Sequence, residues 1–281
     1  MKIGPELRWA KGAPKCVFIS GGGSGIGLAM GVCLVQAGCH VAIFNRSPAT
    51  SALVTLQTYA VSRGQRIHAY MADVSDEDAI RQAVAHAVTD MGTPDLCINS
   101  AGIISAAPFD ELTANAFTHV VNVNLVGSRH FAAAVLPHLH AGAHLTFISS
   151  MAGLVGNYAY AAYCASKYGV VGLAEVLRIE LKPRGIDVSV CCPAELPTPL
   201  VSEERKTLHP AAAALKDLIG TMPLDAACDD MLQGMARRQF MIVPGLMPRL
   251  SCWAARHFPA AMRLVTDLVV ARSLRATARS N

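Results

Sequence analysis

Short apolar runs alternate with stretches of helical periodicity along most of the 281-residue chain. Runs such as "CVFIS" and "HLTFIS" have the length and composition of strands that are buried on both faces. The stretches between them have the spacing of amphipathic helices. This alternation predicts an α/β fold, a doubly wound, seven-stranded parallel sheet with helices on both sides. Strands are predicted at 16–20, 39–44, 66–71, 95–100, 144–149, 186–192 and 239–243, and helices at 25–38, 49–63, 76–91, 111–138, 158–182 and 223–237.

The composition is apolar for a freely soluble protein, with 52% hydrophobic residues, 16% charged residues and a mean hydropathy of +0.36. A sheet buried on both faces and a surface that contacts lipid would each account for this, and we expect both. The nine cysteines are scattered and odd in number, which indicates reduced thiols and a cytoplasmic protein. We find no secretion signal, and residues 1–13 are expected to form an arm.

The first predicted strand leads directly into "SGGGSGIG", residues 20–27, and then into a helix. Glycines in this loop let the backbone turn tightly and approach a pyrophosphate, whose charge is stabilised by the helix N-terminus. A tight turn without a ligand is the alternative. The order of strand, loop and helix favours a Rossmann-type dinucleotide site.

The second predicted strand ends in "FNRS", residues 44–47. Dinucleotide folds that use NAD usually have an acid here to bind the ribose 2′-hydroxyl, whereas an arginine accommodates a 2′-phosphate. The acid is absent and Arg46 is present, flanked by Asn45 and Ser47. The sequence therefore favours NADPH over NADH.

The stretch "YAAYCASKYG", residues 160–169, holds three tyrosines, of which one has a lysine four positions later. Tyr163 and Lys167 would share one face of a helix, where the ammonium group lowers the pKa of the phenol and prepares it to protonate a carbonyl oxygen. By itself this spacing is more often an ordinary surface pair. Tyr160 and Tyr168 have no such partner, and we expect them to serve packing.

Further stretches, together with this pair, resemble the short-chain dehydrogenase/reductase family over about residues 14–245. The sequences "ADVSD", "INSAG" and "NVNLVG" are similar to its adenine-contacting, strand-supporting and active-site stretches, although Ser100 stands where the family has a second Asn. "ISSMAG" places Ser150 thirteen residues before Tyr163, which is the family spacing and selects Ser150 over Ser149. The resemblance implies a catalytic tetrad of Asn124, Ser150, Tyr163 and Lys167.

The same resemblance implies a role for each member of the tetrad. Ser150 would hydrogen-bond the substrate carbonyl oxygen, and Tyr163 would donate the proton as hydride arrives from the nicotinamide. Lys167 would bind the ribose hydroxyls and lower the phenol pKa, and Asn124 would hold a water molecule that relays protons to Lys167. Beside Tyr163 and Lys167, the implied NADP(H) contacts are Ser20, Gly21, Gly23, Ser24, Gly25, Ile26, Gly27, Asn45, Arg46, Ser47, Asp73, Val74, Asn99, Ala101, Gly102, Pro193 and Thr198.

The stretch "PAELPTP" after the sixth predicted strand keeps Pro193 and Thr198 at the family spacing but has Ala194 where the family usually has glycine. Together with "ASKYGVVGLAEVLRIELKP" and the apolar C-terminal segment, it is similar to the 3-ketodihydrosphingosine reductases. These enzymes reduce a long-chain, lipid-like 3-ketone with NADPH at a membrane. A reductase of 3-oxoacyl thioesters or other hydrophobic ketones, and a non-catalytic NADP-binding sensor or scaffold, are the alternatives.

We place one Rossmann-type reductase domain at residues 1–245, with a lid at about 194–223, and a C-terminal helical extension at 246–281. The extension is apolar and basic, because its six arginines face a single acid. No uncharged apolar run in it reaches the roughly 20 residues that span a bilayer. We expect amphipathic helices, broken at Pro248 and Pro259, that lie at the cytosolic membrane face. Packing on a second subunit or over the active site are the alternatives.

The remaining expectations concern partners. The body of the chain has no basic stripe, which argues against nucleic acid. The histidines at 138, 140 and 144 fall in a helix-to-strand loop away from the tetrad, and we expect no carboxylate to accompany them and therefore no metal site. Family members commonly pair through the helix that carries the Tyr and Lys and through the helix before it, which implies a homodimer or homotetramer.

Overall fold

The computed structural model describes the backbone of residues 8–280 and the side chains of residues 8–276. Residues 1–7 of the expected arm lie outside this described part. Seven parallel strands form one sheet in the order β3-β2-β1-β4-β5-β6-β7. The strands are β1 (Cys16–Ser20), β2 (His40–Asn45), β3 (Ile67–Met71), β4 (Leu96–Asn99), β5 (His144–Ile148), β6 (Asp187–Cys191) and β7 (Met241–Ile242).

Helices connect the strands and cover both faces of the sheet, which confirms the predicted doubly wound fold. Side chains alternate along each strand, so neighbouring residues enter different cores. Phe18 and Phe44 pack in one core, and Ile19 and Ile43 pack in the other. The helices are α1 (Gly25–Gln36), α2 (Thr50–Thr58), α3 (Glu77–Met91), α4 (Ala114–Val121), α5 (Gly127–Val135), α6 (Ala161–Leu181), α7 (Pro199–Arg205), α8 (Pro210–Ile219), α9 (Leu224–Ala236), α10 (Leu246–His257) and α11 (Pro259–Ser280).

The strand order reverses between β1 and β4, because β2 and β3 lie on one side of β1 and β5 to β7 on the other. In open α/β sheets, ligands bind in the crevice beyond the carboxyl ends of the strands at such a reversal. The glycine loop follows β1 and the "INSAG" stretch spans the end of β4, so this crevice is where the sequence places its cofactor motifs.

Three of the predicted elements differ from the structure. The helix predicted at 49–63 is shorter, because α2 ends at Thr58. The single helix predicted at 111–138 is interrupted by a π-helical turn at Asn122–Val126, which separates α4 from α5. Such turns are frequent at functional sites, and this one contains Asn124. The strand predicted at 239–243 is shorter, because only Met241 and Ile242 pair with β6 at the edge of the sheet.

The C-terminal extension forms α10 and α11, which pack against each other and against α8. Pro259 separates the two helices as expected. The predicted break at Pro248 is wrong, because this proline lies in the first turn of α10, where its missing N–H costs no helical hydrogen bond. Within the described part of the chain, no helix has the length and apolar character required to cross a bilayer.

The part of the arm that the structure describes contacts the body of the domain. The backbone amide of Ala10 donates to the carbonyl of Ala236 at 2.9 Å, and Lys11 pairs with Asp187 at 2.7 Å. Trp9 packs against one of the two cores. Residues 8–13 are therefore attached at the amino ends of the strands, on the edge opposite the crevice.

Candidate active site

The glycine loop between β1 and α1 is too closely packed to carry side chains. Gly21 has a φ of +67°, and a Cβ at this position would lie 2.7 Å from the backbone of Ala101. A Cβ at Gly27 would lie 2.4 Å from the carbonyl oxygen of Gly21. The amide of Gly23 donates to the side chain of Asn45 at 2.9 Å. The loop is held against β2 and β4 and leads into the N-terminus of α1, where a pyrophosphate would bind.

The ends of β1 and β4 are joined by buried polar groups. The Ser20 hydroxyl donates to Oδ1 of Asn99 at 2.7 Å and accepts from the amide of Ala101 at 3.3 Å. Nδ2 of Asn99 is buried and has no hydrogen-bond partner among the described residues. A donor without a partner at this depth is costly unless a bound group accepts from it. The crevice therefore fits a ligand with acceptor atoms at the end of β4, as a dinucleotide has.

The end of β2 presents Arg46 and Ser47 to solvent, and no acid follows the strand. Burial opposes ionisation of Asp73, but hydrogen bonds from Ser75 and the positive charge of Arg46 outweigh it and lower the pKa of Asp73. Arg46 and Asp73 thus lie close enough to interact, which brings together the predicted phosphate-binding and adenine-binding positions. Val74 is buried against Gly127.

Tyr163 and Lys167 lie one turn apart on α6, with Nζ of Lys167 at 5.6 Å from the centroid of the Tyr163 ring. The Lys167 ammonium is buried and donates to the carbonyl of Ile148 at 3.0 Å, at the end of β5. Burial lowers the pKa of Lys167 to about 8, because a charge in a dry site loses its hydration. This lysine can hold or release a proton near neutral pH.

The expected lowering of the Tyr163 pKa does not occur in the protein alone. Burial raises this pKa to about 12, while a hydrogen bond with Ser150 and the positive charge of Lys216 lower it only in part. Desolvation therefore outweighs the nearby charges. At neutral pH the phenol is protonated, which is the form that a general acid needs.

The two serines after β5 have different surroundings. The Ser149 hydroxyl is buried and donates to the backbone carbonyl of Lys167 at 2.9 Å. Ser150 precedes the short 3₁₀ turn Met151–Gly153, where its hydroxyl accepts a hydrogen bond from the Ala152 amide at 3.1 Å. Its side chain also forms a hydrogen bond with that of Tyr163. The serine chosen by spacing thus lies beside the phenol, and its neighbour holds α6 against β5.

Asn124 is fully buried in the π-helical turn, and its amide joins three segments. Its Oδ1 accepts from the Ile103 amide at 2.8 Å, and its Nδ2 donates to the Ile103 carbonyl at 2.9 Å and to Ser166 at 3.0 Å. The side chain therefore fixes the loop after β4 against α6. Its expected role in holding a water molecule stays a prediction.

The other predicted contacts surround the tetrad. A Cβ at Gly102 would lie 3.2 Å from Oδ1 of Asn124 and 3.5 Å from Nζ of Lys167, so the loop after β4 passes close to both. Thr198 is buried at the start of α7 and lies next to Gly25 of the glycine loop. Pro193, Thr198 and Ile26 line the same cavity as Ser150 and Tyr163, whereas Ser24 is exposed at the start of α1.

A cavity of about 400 Å³ opens in front of Ser150 and Tyr163. Its size lies in the range of roughly 300–1,000 Å³ that is usual for ligand sites. Residues of α7 and α8, which lie in the segment predicted as a lid, form part of its wall, and the C-terminal extension contributes Ser251, Met262, Val265 and Thr266. The extension therefore takes part in enclosing the cavity, one of the alternatives that the sequence left open.

A network of ion pairs and one hydrogen bond joins α7 and α8, which form most of the predicted lid, to the start of α6. Lys216 lies 2.7 Å from Oε2 of Glu195, outside hydrogen-bond geometry, and donates to Oε2 of Glu204 at 2.8 Å. Arg205 holds the other oxygen of Glu195 at 2.6 Å. Glu204 also accepts a hydrogen bond from the hydroxyl of Tyr160. We name Glu195, Glu204, Lys216, Arg205 and Tyr160 the lid network.

The expectation that Tyr160 serves packing alone is wrong. Tyr160 lines the cavity, its ring lies 6.0 Å from that of Tyr163, and Nζ of Lys216 lies 5.3 Å from its centroid. The spacing of "SEERKT" and "LKD" gives no sign that these charges are buried together. The pairing depends on how α7 and α8 fold back onto α6, which local sequence does not encode.

The histidine loop has a structural role. His144 is buried in β5, its Nε2 lies 2.7 Å from the hydroxyl of Ser189, and burial lowers its pKa to about 3. His140 lies 3.3 Å from Asp95, so a carboxylate does accompany the loop in space, contrary to the sequence expectation. Between residues 8 and 276, no three His, Cys, Asp or Glu side chains are grouped to hold a metal ion.

Comparison with known proteins identifies relatives of this chain. The model of the family described as short chain dehydrogenase matches residues 15–209. The mouse protein named 3-ketodihydrosphingosine reductase is 29% identical over 196 residues, which are 68% of this chain and 59% of the mouse protein. The Arabidopsis thaliana protein named 3-dehydrosphinganine reductase TSC10B is 30% identical over 256 residues, 85% of this chain and 76% of that protein.

Solved structures have the same architecture. A dehydrogenase/reductase from Sinorhizobium meliloti is 26% identical with a TM-score of 0.71, over 82% of this chain and 93% of that one. The structure named Levodione Reductase is 25% identical with a TM-score of 0.73, over 82% of this chain and 95% of that one. The sheet, the arrangement of the tetrad and the match over residues 15–209 agree, and the chain belongs to the short-chain dehydrogenase/reductase family.

Proposed function

We propose that this protein uses NADPH to reduce the carbonyl of a long-chain, lipid-like 3-ketone, with 3-ketodihydrosphingosine as the candidate substrate. One observation carries the proposal: the protonated phenol of Tyr163 lies beside Ser150 in a cavity whose lining is largely apolar. The catalytic pair and the binding surface for an apolar substrate thus occupy the same space.

The protein groups perform the acid part of the reaction. Ser150 donates a hydrogen bond to the carbonyl oxygen and orients it toward Tyr163. The phenol, with its pKa raised to about 12, holds its proton until negative charge develops on that oxygen, and then donates it. Bound NADPH supplies the hydride to the carbonyl carbon.

Lys167 supports this step from the next turn of α6. Its ammonium lies over the Tyr163 ring and stabilises negative charge that develops on the phenolate after proton donation. With a pKa of about 8, Lys167 can return a proton to the phenol at neutral pH. Relay through a water molecule held near Asn124 would complete the path from solvent.

The preference for NADPH rests on the end of β2. Arg46 is exposed there beside Ser47, and its charge reaches Asp73. A guanidinium matches the geometry of a phosphate and forms charge-assisted hydrogen bonds with it. The absence of an acid at the strand end removes the group that would repel a 2′-phosphate.

Two supports favour a long-chain ketone as the substrate. Apolar side chains from α7, α8 and α11 dominate the outer part of the lining. The relatives named above are called 3-ketodihydrosphingosine and 3-dehydrosphinganine reductases, although this chain spans only 59% of the mouse protein. A ketone carried by a hydrocarbon chain suits both the lining and the acid site.

We also propose that the extension rests on an anionic membrane surface at the cytosolic face. Leu250 and Trp253 on α10, and Leu264 and Leu268 on α11, expose large apolar side chains on helices that also carry arginines. Exposed apolar groups beside basic ones are typical of helices that lie in the interface. Flotation with vesicles tests this: retention on anionic but not on neutral vesicles is expected, and loss of the protein from both would contradict it.

A homodimer or homotetramer through α6 is the second assembly proposal. Tyr168, Val176 and Ile179 are exposed on this helix, which would be unusual for apolar side chains without a partner. Light scattering after size exclusion should give a mass of two or four chains. The paired substitution Val176→Glu with Ile179→Glu should give single chains, and an unchanged mass would place the interface elsewhere.

Absorbance at 340 nm tests the proposed reaction. We expect fast oxidation of NADPH, and slow oxidation of NADH, with a detergent-dispersed long-chain 3-keto sphingoid base. Turnover with a 3-oxoacyl thioester alone would retain the reductase and reject the lipid ketone. Binding of NADPH without turnover of either would favour a sensor or scaffold.

A further inference from the structure

The cavity wall that faces Tyr163 differs in chemistry from the wall that carries Ser150 and Tyr163. The lid helices and the extension contribute apolar side chains to it, and they do so from three separate helices. The only charged residues that line the cavity in the described chain are Glu195 and Lys216, which lie 2.7 Å apart and neutralise each other. The apolar lining residues in question are Leu200 on α7, Leu215, Leu218 and Ile219 on α8, and Met262 and Val265 on α11.

Three of these residues mark the opening of the cavity. Leu200, Leu218 and Val265 line it and yet are 42%, 54% and 45% exposed, respectively. A side chain that both lines a cavity and contacts solvent lies at its mouth. The entrance is thus bounded by apolar groups, whereas a site for small polar ketones would require none there.

The contribution of α11 follows from helical geometry. Met262, Val265 and Thr266 are spaced by three and four positions, so they lie on one stripe of the helix, and all three line the cavity. Leu264 lies on the opposite face of the helix, is 60% exposed and does not line the cavity. One stripe of α11 therefore faces the cavity while a neighbouring residue of similar size faces solvent.

We propose that α8 and α11 form a channel that binds the unbranched hydrocarbon chain of the substrate, with the carbonyl at Tyr163 and the chain leaving between Leu218 and Val265. This inference rests on the proposed reduction of a long-chain ketone and assigns the residues that select chain length. It makes the C-terminal extension part of the active site. Because Glu195 and Lys216 neutralise each other, a hydrocarbon chain leaves no unpaired charge beside it.

The channel predicts how rate depends on chain length. Each methylene that enters it should raise kcat/KM about fourfold, the factor that corresponds to burying one CH₂ group. Val265→Trp should obstruct the channel without touching the tetrad. We expect this variant to retain the wild-type kcat/KM for the shortest ketone of a homologous series and to lose about tenfold or more for the longest.

Leu264→Trp is the matched control, because it introduces the same indole side chain at the adjacent, solvent-facing position. It should follow the wild type at every chain length. Leu218→Trp obstructs the channel from the opposite side and should reproduce the effect of Val265→Trp. The same change in two independent variants would distinguish obstruction of the channel from a folding defect in one of them. Cofactor binding and the unfolding temperature of each variant would be measured in parallel.

Titration calorimetry with primary alcohols of increasing length probes the channel without turnover. Affinity that rises with length in the wild type and levels off in Val265→Trp supports the channel, even if no ketone is reduced and the proposed function fails. Equal dependence on length in wild type and both obstructed variants would overturn the inference. So would a loss that is the same at every chain length, since it would place the damage at the reacting centre.

Discussion

The cofactor side of the active site is held together by short-range backbone contacts, whereas the substrate side is held by ion pairs between distant helices. At the ends of β1 and β4, glycines approach neighbouring backbone so closely that no side chain fits. Across the cavity, the lid network connects the segment after β6, α7, α8 and the start of α6. The close glycine contacts can be recognised in local sequence. The ion pairs form only when distant helices pack together in the folded chain.

This difference has a functional meaning. The pyrophosphate of a dinucleotide is a compact group of constant size and charge, so a rigid loop encoded by a few glycines can bind it. The proposed hydrophobic substrate must enter and leave, and a binding surface built on separate helices would allow this. Substitutions on the two sides should therefore have different effects. Those on the cofactor side should change the chemical step and cofactor binding, and those on the substrate side should change substrate affinity and the opening of the lid.

The largest expected effect is at Tyr163, where the two sides meet. Tyr163→Phe removes the acidic proton and keeps the ring, so kcat should fall by about 10²–10⁴-fold. NADPH binding, followed by its fluorescence, should stay unchanged. The exposed Tyr168→Phe serves as the control and should retain the wild-type kcat. Full activity in Tyr163→Phe would show that Tyr163 is not the general acid.

The lid network offers the next test. Glu204 is buried between Tyr160 and Lys216, and Glu204→Gln would leave the ammonium with one carboxylate fewer. Breaking a buried pair by removing one partner costs about 3 kcal/mol. Hydrogen exchange in α7 and α8 should accelerate by about a hundredfold, and KM for the ketone should rise while the affinity for NADPH stays constant.

The adjacent residue provides a matched control for this experiment. Glu203 pairs with Lys206 on the surface, and its side chain is 73% exposed. Glu203→Gln should change exchange and KM little, because exposed pairs contribute about 0–1 kcal/mol. If both variants behaved alike, the buried network would not hold the lid.

Arg46 tests the cofactor side with a smaller expected effect. Arg46→Gln would remove the charge-assisted hydrogen bond that we propose to the 2′-phosphate, so kcat/KM for NADPH should fall roughly tenfold or more while that for NADH stays unchanged. Arg63→Gln, an exposed position after α2, makes the same charge change away from the site. An equal loss with both cofactors would show that Arg46 does not distinguish them.

The last prediction concerns Lys167 and the pH dependence of stability in the protein without cofactor. Its pKa of about 8 lies below the ordinary lysine value, so between pH 8 and about 10.5 the unfolded chain binds more protons than the folded one. Stability contributed by Lys167 should therefore rise with pH in this window, by at most about 1.4 kcal/mol per pH unit. Urea unfolding of wild type and Lys167→Met at several pH values measures the difference. A difference between their free energies of unfolding that is independent of pH would contradict a buried ammonium with a lowered pKa.

Much of the cofactor side could be predicted from sequence, because each motif there is bound to one strand end. The loop at 20–27 follows β1, Arg46 follows β2, and the spacing from Ser150 to Tyr163 spans one loop and one helical turn. Parallel strands bring these ends together whatever the lengths of the connections. Local sequence and topology were therefore sufficient to place the motifs at one edge of the sheet.

The substrate side escaped prediction for two physical reasons. Tyr160, Glu204 and Lys216 lie far apart in sequence, and which charges become buried is decided by how the helices pack. The pKa of Tyr163 follows the same rule: four-residue spacing to Lys167 predicts a lowered value, but burial raises it to about 12. Desolvation depends on everything that surrounds a group, and a spacing rule contains only one neighbour.

A competition experiment tests the central claim that this site reduces a long-chain ketone with NADPH. Equimolar detergent-dispersed 3-keto sphingoid base and 3-oxoacyl thioester would be mixed with enzyme and a limiting amount of NADPH, and the two alcohols quantified by mass spectrometry. Because both ketones compete for one site, the product ratio reports the ratio of their kcat/KM values. We expect the sphingoid alcohol to dominate. A product pool dominated by the thioester-derived alcohol, or the formation of neither alcohol, would contradict the claim.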